Sequence, residues 1–190
     1  MRKIAILASG SGTLAEAIFE AVEKKELQCR VEALICDQPD APVIARAGKY
    51  NIPVHLHPMV HDRQLWNREL LRYLQSLELD LVVSAGFMRI LDRTVTSSLP
   101  IINSHPALLP LFPGAHAVRD ALAAGATKTG TTIHWVDAGV DTGEVIAQAE
   151  LDISPDDDEE SLHERIKILE RSLIVATIEQ LLLTMENGRS

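Results

Sequence analysis

The sequence predicts an α/β fold: a doubly wound, mostly parallel sheet with an antiparallel pair of strands in its C-terminal half. Short apolar runs alternate with longer helix-like stretches from residue 3 to residue 103. Such alternation implies parallel strands joined by right-handed crossovers. Two later apolar runs, residues 130–136 and 145–151, are separated only by a short loop, so they predict the antiparallel pair.

The predicted strands are apolar at almost every position, which is typical of strands buried on both faces. They cover residues 3–8, 31–36, 53–56, 79–84 and 100–103, followed by the antiparallel pair. Helices are predicted where apolar residues recur at helical spacing, at residues 14–23, 41–49, 61–77 and 115–124. A long final helix follows the acidic segment 155–160, which suits the positive end of a helix dipole.

The composition is that of an ordinary globular protein, and we expect one domain spanning residues 1–190. A net charge of −9 argues against nucleic acid or a membrane surface as a partner, and an anionic substrate would need a local basic pocket. Cys29 and Cys36 flank a predicted strand about 20 Å long, too long for a disulfide. Free thiols and a short N-terminal apolar run predict a cytoplasmic protein.

Two polar side chains follow the apolar run at residues 99–102. Asn103 and His105 are two positions apart, so in an extended chain they point to the same side. Pro106 then ends the strand because it has no N–H for the sheet. An amide and an imidazole side by side at the carboxyl end of a strand predict a catalytic site.

A glycine-rich turn, Gly10-Ser11-Gly12-Thr13, lies between the first predicted strand and the first predicted helix. Backbone N–H groups and the helix dipole at such a turn favour an anion. A purely structural turn also fits. With Ala15 and Asp37 the segment matches the dinucleotide-binding pattern as well, so the residues alone leave three interpretations, of which anion binding is favoured.

The loop at residues 137–143 contains two carboxylates, Asp137 and Asp141. Aspartate and glycine residues are common in hairpin turns, so the loop has a plain structural interpretation. It lacks the closing glutamate of a calcium loop. The functional interpretation is that one carboxylate lies near His105, orients the imidazole and favours its charged form.

The remaining histidines have less definite environments. His55 and His57 are expected at the surface or in packing, because no cysteine or nearby carboxylate completes a zinc site. His116 and His134 are near the predicted site in sequence and either line it or pack beside it. His163 is predicted to face solvent. No Gly-x-Ser-x-Gly elbow is present, so in an enzyme the attacking atom would belong to a substrate.

Three motifs occur in one order along the chain. They are Ala-Gly-Phe-Met-Arg-Ile-Leu at 85–91, Asn-Ser-His-Pro-Ala-Leu-Leu-Pro at 103–110 and Asp-Ala-Gly-Val-Asp-Thr-Gly at 137–143. With them the chain resembles the folate-dependent phosphoribosylglycinamide formyltransferases of purine biosynthesis. Methionyl-tRNA formyltransferases and formyltetrahydrofolate hydrolases share the histidine motif, but the glycine loop and the lack of an added domain favour the first family.

The resemblance implies a Rossmann-like formyltransferase fold and a role for each matching residue. The catalytic residues would be Asn103, His105 and Asp141. The ribonucleotide and its phosphate would bind in the N-terminal half at Gly10, Ser11, Gly12 and Thr13, with Lys167 and Glu170 of the final helix. The folate site, assigned to the C-terminal half, would comprise Phe87, Met88, Arg89, Ile90, Leu91, Val136, Asp137 and Val140.

The resemblance also implies two small-molecule substrates, glycinamide ribonucleotide and the co-substrate 10-formyltetrahydrofolate. Neither a covalent enzyme intermediate nor a metal is required, and either a monomer or a homodimer is compatible with the chemistry. The chain departs from the family at Leu14, where an asparagine is usual. Phosphate binding would then depend more on backbone amides and Lys167.

Overall fold

The structure is a computed structural model and describes residues 1–187. Within that range the chain forms seven strands and six helices. The strands are β1 (Arg2–Ala8), β2 (Cys29–Cys36), β3 (Val54–Leu56), β4 (Leu81–Ser84), β5 (Ile101–His105), β6 (Lys128–Trp135) and β7 (Val145–Asp152). The helices are α1 (Thr13–Glu23), α2 (Pro42–Lys49), α3 (Arg63–Ser76), α4 (Arg93–Thr96), α5 (Ala117–Ala123) and α6 (Glu159–Asn187).

All seven strands form one sheet in the order β3-β2-β1-β4-β5-β6-β7. The pairs among β1 to β5 are parallel, whereas β5 and β6, and β6 and β7, are antiparallel. This confirms the predicted fold class. The chain proceeds outward from β1 to β3 and then returns to β4 on the other side of β1. Ligand sites of open α/β sheets form at such a reversal, beyond the carboxyl ends of the strands.

Alternating side chains divide the core between the two faces of the sheet. Ile4 and Ile6 of β1 pack with α1, α2 and the C-terminal half of α6, and we call this side the α6 face. Ala5 and Leu7 pack on the other side with α3 and α4, which we call the α3 face. Both faces of the sheet are covered by helices, so the central strands are buried. Their sequences are therefore continuous apolar runs.

Three details differ from the sequence prediction. Strand β5 continues through His105 rather than ending at residue 103, and it pairs with β6 as an antiparallel neighbour. The antiparallel part therefore has three strands, because β6 inserts between β5 and β7. The short helix α4 was not predicted, since one turn of helix has too few residues to show a periodic apolar pattern.

Both cysteines are free, as the sequence predicts, and the structure shows that both are buried. Burial raises the pKa of the Cys29 thiol to about 11, so this thiol is protonated at neutral pH and is a poor nucleophile. Among residues 1–187, no helix is long and apolar enough to cross a membrane.

The two glycines of the first turn have different constraints. Gly12 precedes α1 with φ of 74°, and a Cβ there would lie 2.3 Å from Cγ2 of Val43. Gly10 has open space around the equivalent Cβ. Gly12 is therefore required by the backbone and by the approach of α2, whereas Gly10 is not.

We expect Gly12→Ala to lower the free energy of unfolding by about 2 kcal/mol or more, because left-handed backbone strain and the clash with Val43 add together. The matched variant Gly10→Ala should change it by less than about 1 kcal/mol. Denaturant unfolding of both variants without ligands measures the difference. Equal stability of the two would contradict this account of the turn.

Candidate active site

A cavity of about 520 Å³ lies beyond the carboxyl ends of β4 and β5. This size is within the range of small-molecule sites. Its wall includes every residue that the sequence predicts for catalysis and for folate: Asn103, His105, Asp141, Phe87, Met88, Arg89, Ile90, Leu91, Val136, Asp137 and Val140. The fold therefore brings three sequence-distant motifs to one place.

Asn103 is positioned by the pairing of β5 with β6. Its register partner is His134, and the Asn103 Nδ2 atom lies 3.2 Å from Nε2 of His134. The other ring nitrogen, Nδ1, lies 2.9 Å from the carbonyl oxygen of Trp135. A carbonyl can only accept, so Nδ1 is the donor and Nε2 of the neutral ring accepts from the amide. One amide N–H thus fixes the side chain, and the second remains for a ligand.

His105 is buried at the end of β5. Its Nε2 atom lies 2.8 Å from the carbonyl oxygen of Phe112, and its Nδ1 atom lies 3.3 Å from Oδ2 of Asp141. Both neighbours are acceptors, an arrangement that an imidazolium satisfies with an N–H on each nitrogen. The sequence did not predict the hydrogen bond between Nε2 of His105 and the carbonyl oxygen of Phe112.

Asp141 joins the two imidazoles of the site. Its Oδ2 atom accepts from the backbone N–H of Gly114 at 2.8 Å and faces His105, while Oδ1 lies 3.5 Å from Nε2 of His134. Burial acts to raise the pKa of Asp141, but the neighbouring His134 ring, the hydrogen bond from Gly114 and the charge of His105 outweigh it and hold that pKa below its usual value. The group is therefore an ionised carboxylate at neutral pH.

The neighbouring carboxylate, Asp137, holds the loop itself. It accepts from the Thr142 hydroxyl at 2.7 Å and from the Gly139 backbone N–H at 2.9 Å. The Thr142 hydrogen bond lowers the pKa of Asp137 most, followed by that of Gly139. Of the two carboxylates in this loop, Asp141 contacts the imidazoles and Asp137 stabilises the turn.

The cavity segment 86–91 is attached to the ends of β1 and β2. The Ser9 hydroxyl accepts from the Met88 backbone N–H at 2.9 Å, and Ser9 donates its own N–H to the Gly86 carbonyl at 3.1 Å. Asp37, whose side chain is fully buried, accepts from Nε of Arg89 at 2.6 Å. Burial acts to raise the pKa of Asp37, but hydrogen bonds from Ser9 and Arg89 keep that pKa below its usual value.

This contact bears on the dinucleotide interpretation of the glycine turn. That interpretation requires the acidic residue after β2 to bind a ribose hydroxyl. Asp37 is instead buried against Arg89 and Gln38. Because this carboxylate already contacts protein side chains, the structure does not favour a dinucleotide-binding site at the glycine turn.

The glycine turn begins α1 and is held from α2. Gly10 accepts from the Val43 backbone N–H at 3.2 Å, and Ser11 accepts from Nε of Arg46 at 2.8 Å. Arg46 also pairs with Glu16. No side chain caps the start of α1, so its first N–H groups are available to an anion. Arg46 could not be predicted from the sequence, because its contact joins two separate elements.

Lys167 and Glu170 lie on α6 and are not on the wall of the cavity. Glu170 is buried on the α6 face, where it accepts from the Ser104 hydroxyl at 2.7 Å, and burial raises its pKa. Ser104 stands between Asn103 and His105 and points to the opposite side of β5. Lys167 pairs with Glu164 at 2.7 Å. Lys167 and Glu170 thus lie on the same helix but contact different residues.

The histidine predictions had mixed outcomes. His55 stacks on Tyr73 and His57 packs against Trp66, as a packing role requires. His134 lines the cavity and orients Asn103. The prediction for His163 was wrong, because this side chain is half-buried on the cavity wall; helical spacing alone did not show that a cavity opens beside it. Among the described residues, no cluster of three or more His, Cys, Asp or Glu could hold a metal ion.

Comparisons with known proteins identify the family of this chain. The family model for formyl transferases matches residues 2–178. Phosphoribosylglycinamide formyltransferase of Mycobacterium tuberculosis is 43% identical over 185 residues, covering 94% of this chain and 84% of the relative. The enzyme of that name from Bacillus subtilis is 37% identical over 186 residues, covering 96% and 95%.

A solved structure is similar over the same range. Phosphoribosylglycinamide formyltransferase from Bacillus halodurans aligns with a TM-score of 0.91 at 40% identity, covering 95% of each chain. The fold of this chain agrees with that of the solved relative. The chain therefore belongs to the formyl transferase family, among relatives named phosphoribosylglycinamide formyltransferase.

Proposed function

We propose that the protein transfers the formyl group of 10-formyltetrahydrofolate to the amine of glycinamide ribonucleotide, giving formylglycinamide ribonucleotide and tetrahydrofolate in purine biosynthesis. The observation that carries this proposal is the convergence of the Asn103 amide, the His105 imidazole and the Asp141 carboxylate on one cavity. The names of the relatives support the same reaction. The free thiols suit the reducing cytoplasm, where we expect the protein to work.

In the proposed reaction the substrate amine attacks the formyl carbon and an oxyanion forms on the formyl oxygen. The second N–H of Asn103 donates to that oxyanion, since the first is held by His134. His105 donates from Nε2, and to do so it exchanges the Phe112 carbonyl for the substrate oxygen. The Asn103 amide is fixed before the reaction, and such a donor stabilises developing charge without reorganisation.

Asp141 supports the proton transfers of this scheme. Its ionised carboxylate lies beside Nδ1 of His105 and therefore stabilises the imidazolium. The tetrahedral intermediate must lose a proton from the attacking nitrogen and gain one on the leaving folate nitrogen. Asp141 and His105 are the ionisable groups that we assign to this relay. No enzyme nucleophile and no metal enter the scheme.

The two substrates are assigned to opposite sides of the sheet. Phe87, Leu91 and Val136 belong to the apolar cluster of the α3 face, and an apolar wall suits the ring system of a folate. We assign folate to these residues with Met88, Arg89, Ile90, Asp137 and Val140. We assign the ribonucleotide to the α6 face, with its phosphate at Gly10, Ser11, Gly12 and Thr13 beside Lys167, and its ribose or amine at Glu170.

The direct test is an absorbance assay with glycinamide ribonucleotide and a 10-formylfolate analogue. We expect deformylation of the folate only when both substrates are present, with a formylated ribonucleotide as the product. Release of formate without the ribonucleotide would indicate a formyltetrahydrofolate hydrolase. Absence of turnover with both substrates would contradict the proposed function.

We expect Asn103→Ala and His105→Ala each to lower kcat by about 10²–10³, because each removes one oxyanion donor. Steady-state kinetics at saturating concentrations of both substrates measures this. His116→Ala is the matched control, since His116 is exposed and outside the cavity wall. If one of the two variants turned over like this control, its residue would have no catalytic role.

We expect Asp37→Asn to raise the KM for the formylfolate while kcat changes little, because Arg89 and its segment lose their anchor. The free energy of unfolding at pH 7 should fall by about 1–3 kcal/mol. Because the folded-state pKa of Asp37 is lowered, this stability is present above the ordinary aspartate pKa of about 3.9 and is lost as pH falls through the lowered value.

The unfolding difference between wild type and Asp37→Asn should therefore shrink below about pH 4. Asp40→Asn is the control, since Asp40 is exposed on the same loop. A difference independent of pH, or an unchanged KM for the formylfolate, would contradict the anchoring role of Asp37.

A further inference from the structure

One imidazole on the cavity wall has no hydrogen-bonding partner among residues 1–187. Of the described residues of α6, His163 is the one that lies on this wall. The side chain is half-buried, and neither ring nitrogen takes part in a hydrogen bond with any described residue. The other two imidazoles at the cavity, His105 and His134, have a polar protein neighbour for each nitrogen.

An unpaired donor and acceptor in a partly buried position lower stability unless something satisfies them. Leu162 beside it is fully buried in an apolar cluster with Ile166 and Val118, so packing fixes this turn of α6. His163 is thus held at the cavity and is not free to turn away with a mobile segment. A group entering the cavity can complete its hydrogen bonds.

The position of α6 indicates which substrate this group belongs to. His163, Lys167 and Glu170 are at positions i, i+4 and i+7, so they lie along one side of the helix. On that side Glu170 accepts a hydrogen bond from Ser104, which lies on β5 between Asn103 and His105. The folate residues Phe87 and Leu91 pack on the α3 face instead. His163 therefore enters the cavity from the side assigned to the ribonucleotide.

The charge state of His163 limits the chemistry of its ligand. Burial lowers the pKa of His163, and the positive charge of Lys167 one turn away lowers it further. The ring is therefore neutral at pH 7 and offers one donor and one acceptor. A hydroxyl or an amide complements such a ring, whereas the dianionic phosphate is better matched by Lys167 and the backbone amides of the glycine turn.

We propose that His163 is a substrate-binding residue that hydrogen-bonds an uncharged hydroxyl or amide group of the ribonucleotide, between its phosphate and its reacting amine. This inference rests on the proposed function, because it takes the ribonucleotide as the substrate. It adds to the ribonucleotide site a side chain of α6 that was predicted from the sequence to face solvent. The contact fixes the ribonucleotide relative to His105 and makes no bond to the reacting carbon.

The test compares His163→Ala, His163→Gln and the control His61→Ala, whose histidine is exposed and outside the cavity wall. We expect His163→Ala to raise the KM for glycinamide ribonucleotide about fivefold, the effect of losing one hydrogen bond. The KM for the formylfolate and kcat should stay within about twofold. His163→Gln should recover most of the loss, because its amide also donates and accepts.

Competition by inorganic phosphate distinguishes residues that bind the phosphate group of the ribonucleotide from residues that bind the rest of it. Lys167→Ala should weaken inhibition by phosphate, whereas His163→Ala should leave it unchanged. An equal weakening in both variants would place the imidazole on the phosphate and overturn the proposal. An unchanged KM for the ribonucleotide in His163→Ala, or a rise in the KM for the formylfolate instead, would also overturn it.

The outcomes distinguish this inference from the proposed function. If the wild-type protein does not turn over the two substrates, the proposed function fails and the inference fails with it. If wild type is active and His163→Ala binds the ribonucleotide as wild type does, the inference alone fails. Far-ultraviolet circular dichroism and denaturant unfolding of each variant establish that the changes are not losses of fold.

Discussion

The carboxylate of Asp141 lies between two imidazoles, and the geometry of the site depends on this contact. One oxygen faces His105 and accepts from Gly114, while the other faces His134. His134 in turn holds the amide of Asn103. Asp141 thus orients His105, and His134 orients Asn103, so the two donors that we assign to the oxyanion are held by adjoining groups. Asp141 itself has φ of 54°, an uncommon conformation for a non-glycine residue, which is tolerated where surrounding contacts determine it.

The sheet explains why these groups meet. Strand β5 is parallel to β4 on one side and antiparallel to β6 on the other. Its carboxyl end adjoins the segment after β4, while the loop between β6 and β7 leaves β6 beside the start of β5 and brings Asp141 back to His105. The first supplies the apolar residues of the cavity and the second supplies Asp141. Because side chains alternate along β5, Asn103 and His105 face the cavity while Ser104 contacts Glu170 on the α6 face. Two ligands can thus approach one strand end from opposite sides.

The sequence predicted what depends on local pattern. The fold class followed from alternating apolar runs, and the common direction of Asn103 and His105 followed from strand geometry. His134 was not selected, because its contact with Asn103 depends on the register between β5 and β6, which no local pattern specifies. Arg46, Phe112 and the burial of Asp37 depend likewise on contacts between separate elements. His163 was assigned to solvent because helical periodicity identifies an apolar stripe but not a cavity at its margin.

A double-mutant cycle on kcat determines whether Asp141 acts through His105. We expect Asp141→Asn to lower kcat strongly in the wild-type background and by less than about threefold in the His105→Ala background, because the imidazole that Asp141 orients is gone. Equal effects of Asp141→Asn in both backgrounds would contradict this expectation, since they would show that the carboxylate acts independently of His105.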